Sequence, residues 1–383
     1  GNYSLHERRD LLQIILELLT SIVPRYRALS DSGQVELIMS PYAHPIVPLL
    51  LDMESAREAM PEAPLPLNTH YPGGRERARW HLQQGRETFE RVFGLRPQGL
   101  WPSEGGVSQE ALALFAEEGF SWIASGASVL NNSHDKLHHD CSHRIYQFGD
   151  ADINCVFRDD GLSDLIGFNY SDWHSDDAVA NLIGHMEHIA DLCPDRNDCL
   201  IAIILDGENA WEYYPENAWY FLSNLYQGLV DNRKLELTTV SDFLRKSQPQ
   251  ASHEKRLVAG SWVYGTFSTW IGSPEKNRAW DLLVEAKRCF DEQLAAGGLS
   301  AQQVHDATRQ LAICEGSDWF WWFGDYNPGP TVSQFDQLYR MHLAHLYYLL
   351  NIEAPGSLSE VISRGGGQPS RGGVMRSQDA GAQ

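Results

Sequence analysis

Two acidic residues occupy positions where a carboxylate can do chemistry. In "LWPSEGGVS" (100–108) a strand delivers Trp101, Pro102 stiffens its exit, and Glu104 falls in a loop flanked by glycines. Glycine neighbours allow close backbone approach, so a carboxylate there can stand against an anomeric carbon as a nucleophile. The plainer reading is an acid ahead of a helix that Ser108 caps. In "IAIILDGENAWEYYP" (201–215) Asp206 closes the most apolar run of the chain. A carboxyl at that strand end meets low dielectric, which favours the protonated form a general acid needs. A strand-terminal or helix-capping Asp is the alternative. Glu208, two residues on, is suited to bonding hydroxyl groups or to holding Asp206. Two carboxyls from separate strands facing one cleft are the apparatus of retaining glycoside cleavage, which works at a separation of about 5 to 5.5 Å.

The elements that must carry these groups alternate. Residues 5–29 read as an amphipathic helix, with Leu11, Ile14, Ile15, Leu18 and Leu19 at helical spacing. Strands are expected at 35–41, 97–103, 121–126, 153–157, 199–206 and from 235, with helices at 73–93, 108–120, 176–193 and 215–231. The run 199–206 is continuous enough to be buried on both faces. Alternation of this kind implies a parallel sheet with helices outside it. Conspicuous polar groups recur at strand C-termini: Pro41 to His44, Trp101 to Glu104, and Asp206 to Glu208. That is the pattern of the active face of an α/β barrel. "FRDDGLSDLIGF" (157–168) also follows a strand, so Arg158, Asp159 and Asp164 either line the cleft or form a structural ion-pair cluster.

Composition narrows the partners. Of 383 residues, 51 are acidic and 30 are Lys or Arg, giving a formal net charge of −21. No basic stripe is present, which excludes nucleic acid as a partner and leaves a neutral substrate. The 12 Trp often sit beside acids or glycines, where flat ring faces suit sugars as well as core packing. No run of 18 apolar residues spans a membrane, and "GNYSLHERRD" is no signal peptide. The six Cys form no CxxC pair, so free thiols in a reducing, cytoplasmic setting are expected. "CPDRNDC" (193–199) reads as a helix-to-strand turn rather than a redox pair.

Four segments together, "VELIMSPYAHPIVPLL", "GLWPSEGGVS", "IILDGENAWEYYP" and "STWIGSPEKNRAWDLLVEAK", resemble the second to fifth sequence regions of glycoside hydrolase family 57. "EGSDWFWWFGDYNPGP" (315–330) is also similar to the amylase-like members. The resemblance implies a (β/α)7 incomplete TIM-like barrel with an appended helical domain, retaining chemistry on α-glucans and no organic cofactor. It gives Glu104 the place of the nucleophile and Asp206 that of the acid/base. His44 falls at a contact in the glucose subsite, and Trp270 at an aromatic platform reaching the cleft from the helical domain. Trp101 and Trp211 are further stacking candidates. The expected activity is α-amylase-like hydrolysis, with 4-α-glucanotransferase or branching activity, or glucan binding without turnover, as alternatives.

The expected domains are a barrel over 1–246, a helical domain over 247–355 that completes the cleft, and a disordered tail over 356–383. The family's opening strand with its His-Gln-Pro type motif has no counterpart, so the chain is expected to be a fragment with an open barrel edge. A metal-based rival rests on "KLHHDCSHRI" (136–145), where His138, His139, Asp140 and His143 have ligand-like spacing. A solvated loop with incidental His is the favoured reading, since no carboxylate-His motif stands at a strand end, and no metal is assigned.

Overall fold

The computed structural model describes residues 3–134 and 142–367. Its sheet runs β1 (Gly99–Leu100), β2 (Trp122–Gly126), β4 (Asn154–Arg158), β3 (Tyr146–Phe148) and β5 (Ser252–Glu254) in spatial order, with β1, β2 and β4 parallel. A bridge from Met39 to Leu100 adds the segment 36–40 beside β1. The segment 200–205 lies on the other side, where the amide of Asp159 donates to the carbonyl of Ala202 at 2.8 Å. These extended pieces curve into the wall of a barrel.

The helices outside it are α1 (Leu5–Asp31), α2 (Gly74–Phe93), α3 (Gln109–Glu117), α4 (Ser175–Leu192), α5 (Trp219–Val230) and α6 (Val240–Ser247). Their ends follow local chemistry. Ser108 caps α3 by accepting from the amide of Ala111, and Thr239 caps α6 by accepting from that of Asp242. Gly94 takes a left-handed conformation to end α2. The helical body adds α7 (Pro274–Ala296), α8 (Ala301–Cys314) and α9 (Gly329–Leu349).

Burial divides along these lines. One core gathers Trp270, Trp280, Phe320, Tyr339 and Leu343 of the helical body, and takes in Ile46, Leu49, Leu50, Met53 and Tyr71 from the N-terminal half. A second lies between the sheet, α2 and α3, centred on Leu100, Phe115 and Phe157. A third joins α4 to α5 through Leu182 and Phe221.

Several expectations change here. The helix at the N-terminus forms as α1, yet none of its residues is buried and Leu11, Ile14, Leu18 and Leu19 are exposed. The run 199–206 is extended but half-buried, because its inner side faces a cavity rather than a packed layer. Disorder does not begin at residue 356. Leu358 is buried in the helical core, and the amide of Ile362 donates to Asp336 at 2.7 Å. Nor are all thiols free: Cys193 and Cys199 form a disulfide, brought together by the turn Arg196–Asp198 after α4. Among the described residues the remaining cysteines, Cys155, Cys289 and Cys314, are free. No described helix is long and apolar enough to cross a membrane.

Candidate active site

A cavity of about 810 Å3 opens at the C-terminal end of the parallel strands. Its deeper wall is apolar, made by Ile38, Ala124, Val156, Ala202, Ile204 and Val240. Its mouth carries His44, Trp101, Glu104, Arg158, Asp164 and Asp206, so six residues singled out from the sequence converge on one space.

Glu104 follows β1 in a tight turn and itself has a left-handed backbone, φ 56°. A non-glycine residue held there is strained, and such strain persists only where surrounding contacts impose it. The contacts are visible. Val107 and Gly260 exchange backbone hydrogen bonds at 2.9 and 3.0 Å, and the amide of Trp262 donates to the carbonyl of Glu104 at 3.3 Å. The Trp262 indole N–H then donates to Glu104 Oε2 at 3.2 Å. Ser125 Oγ on β2 donates to the carbonyl of Gly105 at 2.6 Å. Gly126 makes room for this arrangement: a Cβ there would stand 2.6 Å from the Cα of Trp262.

Trp262 connects the acid to a cation. The Arg158 guanidinium lies 5.5 Å from its ring centroid. Arg158 also pairs with Asp160 at 2.8 Å and Asp164 at 2.7 Å, and donates to the carbonyl of Ile204 at 2.9 Å. Arg158 and Asp164 are therefore both cleft-lining and ion-paired, which joins the two readings left open above. Burial pushes the Asp160 carboxyl up, against the pull of Arg158. Asp159 faces away, toward His143 Nε2 at 2.7 Å; burial acts to raise its carboxyl, but that bond and the Leu162 amide hold it below the ordinary value. His143 thus serves an Asp pair, while His138, His139 and Asp140 lie outside the described residues. Among the described residues no group of three or more His, Cys, Asp or Glu could hold a metal ion.

Asp206 stands at the N-cap position of the short helix Gly207–Ala210, at the end of the 200–205 segment, and lines the cavity. The Glu208 side chain lies outside the described residues.

His44 sits in a strained loop, with φ 54° at Ala43 and 57° at His44. Its Nδ1 meets Ser317 Oγ at 2.9 Å, and the amide of Ser317 donates to its carbonyl at 2.9 Å. The loop is anchored from below. His81 Nδ1 bonds the carbonyl of Tyr42, and His81 Nε2 bonds Glu315 Oε2 at 2.7 Å. Arg77 makes a two-pronged pair with Glu315 at 2.9 and 2.7 Å, and the Tyr71 hydroxyl donates to it at 2.6 Å. Glu315 is fully buried. Burial alone would raise its carboxyl, but Arg77 and His81 hold it down at about 2. Tyr71 stays protonated, its hydroxyl pushed well up by burial and by the Glu315 charge.

The same stretch sends Asp318, Trp321 and Trp322 into the cavity, and the 262–264 stretch adds Trp262, Val263 and Tyr264. Sequence reading did not single these out as site residues, although aromatics beside glycines in "AGSWVYG" and the "DWFWW" run were the available signal. Two expected stackers go elsewhere. Trp270 is fully buried in the helical core, where its carbonyl accepts from the Trp280 indole and its ring backs Trp321 at 6.1 Å. It is too deep to be a platform, and of this pair of rings it is Trp321 that lines the cavity. Trp211 packs on Tyr214 in the α4–α5 core, outside the cavity lining.

The fold is that of (β/α)7 barrels with an appended helical domain. The family description "Glycosyl hydrolase family 57" matches residues 2–256, and the chain belongs to that family. Among solved structures, a family 57 branching enzyme from Thermococcus kodakaraensis aligns over 91% of this chain and 73% of its own, with TM-score 0.68 and 16% identity. The α-amylase AmyC from Thermotoga maritima aligns over 90% and 73%, with TM-score 0.64 and 13% identity. The 4-α-glucanotransferase from Thermococcus litoralis aligns over 88% of this chain and 52% of its own, with TM-score 0.61 and 16% identity. No curated protein matches the sequence.

Proposed function

We propose that this chain cleaves α-1,4-glucosidic bonds with retention of configuration, through a covalent glycosyl-enzyme. Glu104 attacks the anomeric carbon while Asp206 gives its proton to the departing glycosidic oxygen. In the second step Asp206 takes a proton from the incoming water or sugar hydroxyl as that oxygen displaces Glu104. The observation that carries this reading is the convergence of Glu104 and Asp206, from separate strand ends, on one cavity of about 810 Å3 in a family 57 chain.

Each neighbour then has a part. The Trp262 indole fixes the orientation of the Glu104 carboxylate. Arg158, braced by Asp160 and Asp164, supports Trp262 from behind. His44 faces the cavity to bond sugar hydroxyls, and Trp101, Trp321 and Trp322 offer apolar walls to sugar rings.

Hydrolysis and transfer share the same first step and differ only in the acceptor. The test is the product profile from maltoheptaose, beside a Glu104→Gln control. Shorter products alone identify a hydrolase; shorter and longer products together identify a transferase. Intact maltoheptaose with wild-type chain would overturn the catalytic reading and leave glucan binding.

A further inference from the structure

The protein chain that leaves the cleft builds a second groove. Gly167 and Phe168 line the large cavity, and Tyr170 and Trp173, just beyond, line a separate one of about 410 Å3. The other exit does the same: Gly207 lines the large cavity and Tyr214 the groove. The two exits are tied together where the Tyr214 hydroxyl donates to the carbonyl of Ile166 at 2.6 Å. The groove is therefore built on the same two segments that supply part of the cleft's lining.

Its chemistry is that of a sugar-binding surface. Tyr170 and Tyr214 are buried and form the floor, whereas Trp173 and Tyr220 remain 47% and 57% exposed. Trp173 is held edge-on by Tyr170, with ring centroids 5.3 Å apart and planes at 71°. Large rings held rigidly at a surface lose little freedom on binding and offer flat faces to the C–H side of a pyranose. Polar groups stand beside them: Asn224 Nδ2 donates to Asp176 Oδ1 at 2.7 Å, at the groove's edge. An acceptor and an amide next to exposed rings match the hydroxyl edge of a sugar. The net charge of −21 disfavours anionic ligands and leaves neutral ones unaffected.

We propose that this groove is a second α-glucan site, which holds a stretch of a long chain whose other part lies in the cleft. The inference rests on the α-glucan reading of the cleft and extends it to chain-length preference. Ligands too short to span both sites bypass the groove, while amylose engages both and gains from the link.

The test compares wild type with Trp173→Ala and Tyr220→Ala, using Trp173→Phe to separate stacking from folding. Migration in an amylose-containing native gel reports binding, and kcat/KM on maltotetraose and on amylose reports turnover. The alanine variants are expected to keep maltotetraose kcat/KM within about twofold and to lose roughly ten-fold on amylose. They should also be clearly less retarded than wild type in amylose gels, with Trp173→Phe restoring most of both. An equal loss on the two substrates, or retardation unchanged in the alanine variants, would overturn the groove. So would a wild-type dimer that Trp173→Ala dissociates with amylose binding intact, since the surface would then belong to a second copy. The two readings fail separately. A chain inactive on maltotetraose but retarded through Trp173 sinks the catalytic reading and keeps the groove.

Discussion

Replacing Glu315 with Gln tests how the helical body grips the barrel. The carboxylate is fully buried and accepts from Arg77, His81 and Tyr71 at once. Gln keeps the shape but removes the charge, leaving the Arg77 guanidinium buried without its counter-ion. Breaking such a pair by changing one partner costs about 3 to 5 kcal/mol. The lowered Glu315 carboxyl leads to a similar figure through the same contacts. It drops from the ordinary 4.5 to about 2. At about 1.4 kcal/mol per unit, that drop corresponds to about 3 kcal/mol. Because the folded value is the lower one, this contribution is complete above pH 4.5 and disappears as pH falls toward 2. Denaturant unfolding should show the Gln variant about 3 to 5 kcal/mol less stable at pH 7, with the gap narrowing below pH 4.5. Activity should fall as well, because His81 couples Glu315 to Tyr42 and the strained loop of His44. A Gln variant within about 1 kcal/mol of wild type at pH 7, or a gap that stays constant down to pH 3, would refute the reasoning.

Three further outcomes follow from the site's construction. Gly126→Ala places a Cβ 2.6 Å from the Cα of Trp262, so Trp262 must move; kcat on maltoheptaose should drop on the order of 100-fold. Trp262→Phe keeps the ring and loses the bond to Glu104 Oε2, so kcat should fall roughly 10- to 100-fold while thermal stability holds. Arg158→Met leaves Asp160 and Asp164 without their cation. Partial exposure of the two acids limits the cost to about 2 kcal/mol, and because burial already raises the Asp160 carboxyl, unfolding measured at pH 7 and pH 4 should show a smaller deficit at the lower pH, where Asp160 takes up its proton.

What the sequence made legible was local. Pro102, Glu104 and the flanking glycines announce a strand end and a tight turn, and Asp206 after five aliphatic residues announces another; both lie at the cavity mouth. Strand β2, the cap at Ser108 and helix α2 were readable from pattern and capping alone. The misses share a cause, which is that they depend on tertiary neighbours. Trp270 and Trp321 are both aromatic residues of the helical body, and only packing decides which is buried and which faces the cavity. The grip of Glu315 on Arg77 spans 238 residues, beyond any periodicity. Strain at Glu104 and His44 is likewise invisible in residue type, since left-handed backbone would suggest glycine there. The run 199–206 reads as doubly buried because its apolarity suggests packing on both sides, whereas its inner side faces the cavity.

The most direct test of the account is to trap the covalent intermediate. The chain would be incubated with a 5-fluoro-α-glucosyl fluoride, whose second step is slow, and followed by intact-mass and peptide mass spectrometry. A single glycosyl adduct on the peptide containing Glu104, absent from the Glu104→Gln variant, is the predicted result. Turnover of maltoheptaose with no adduct, or an adduct on any other residue, would contradict the assignment of Glu104 as nucleophile.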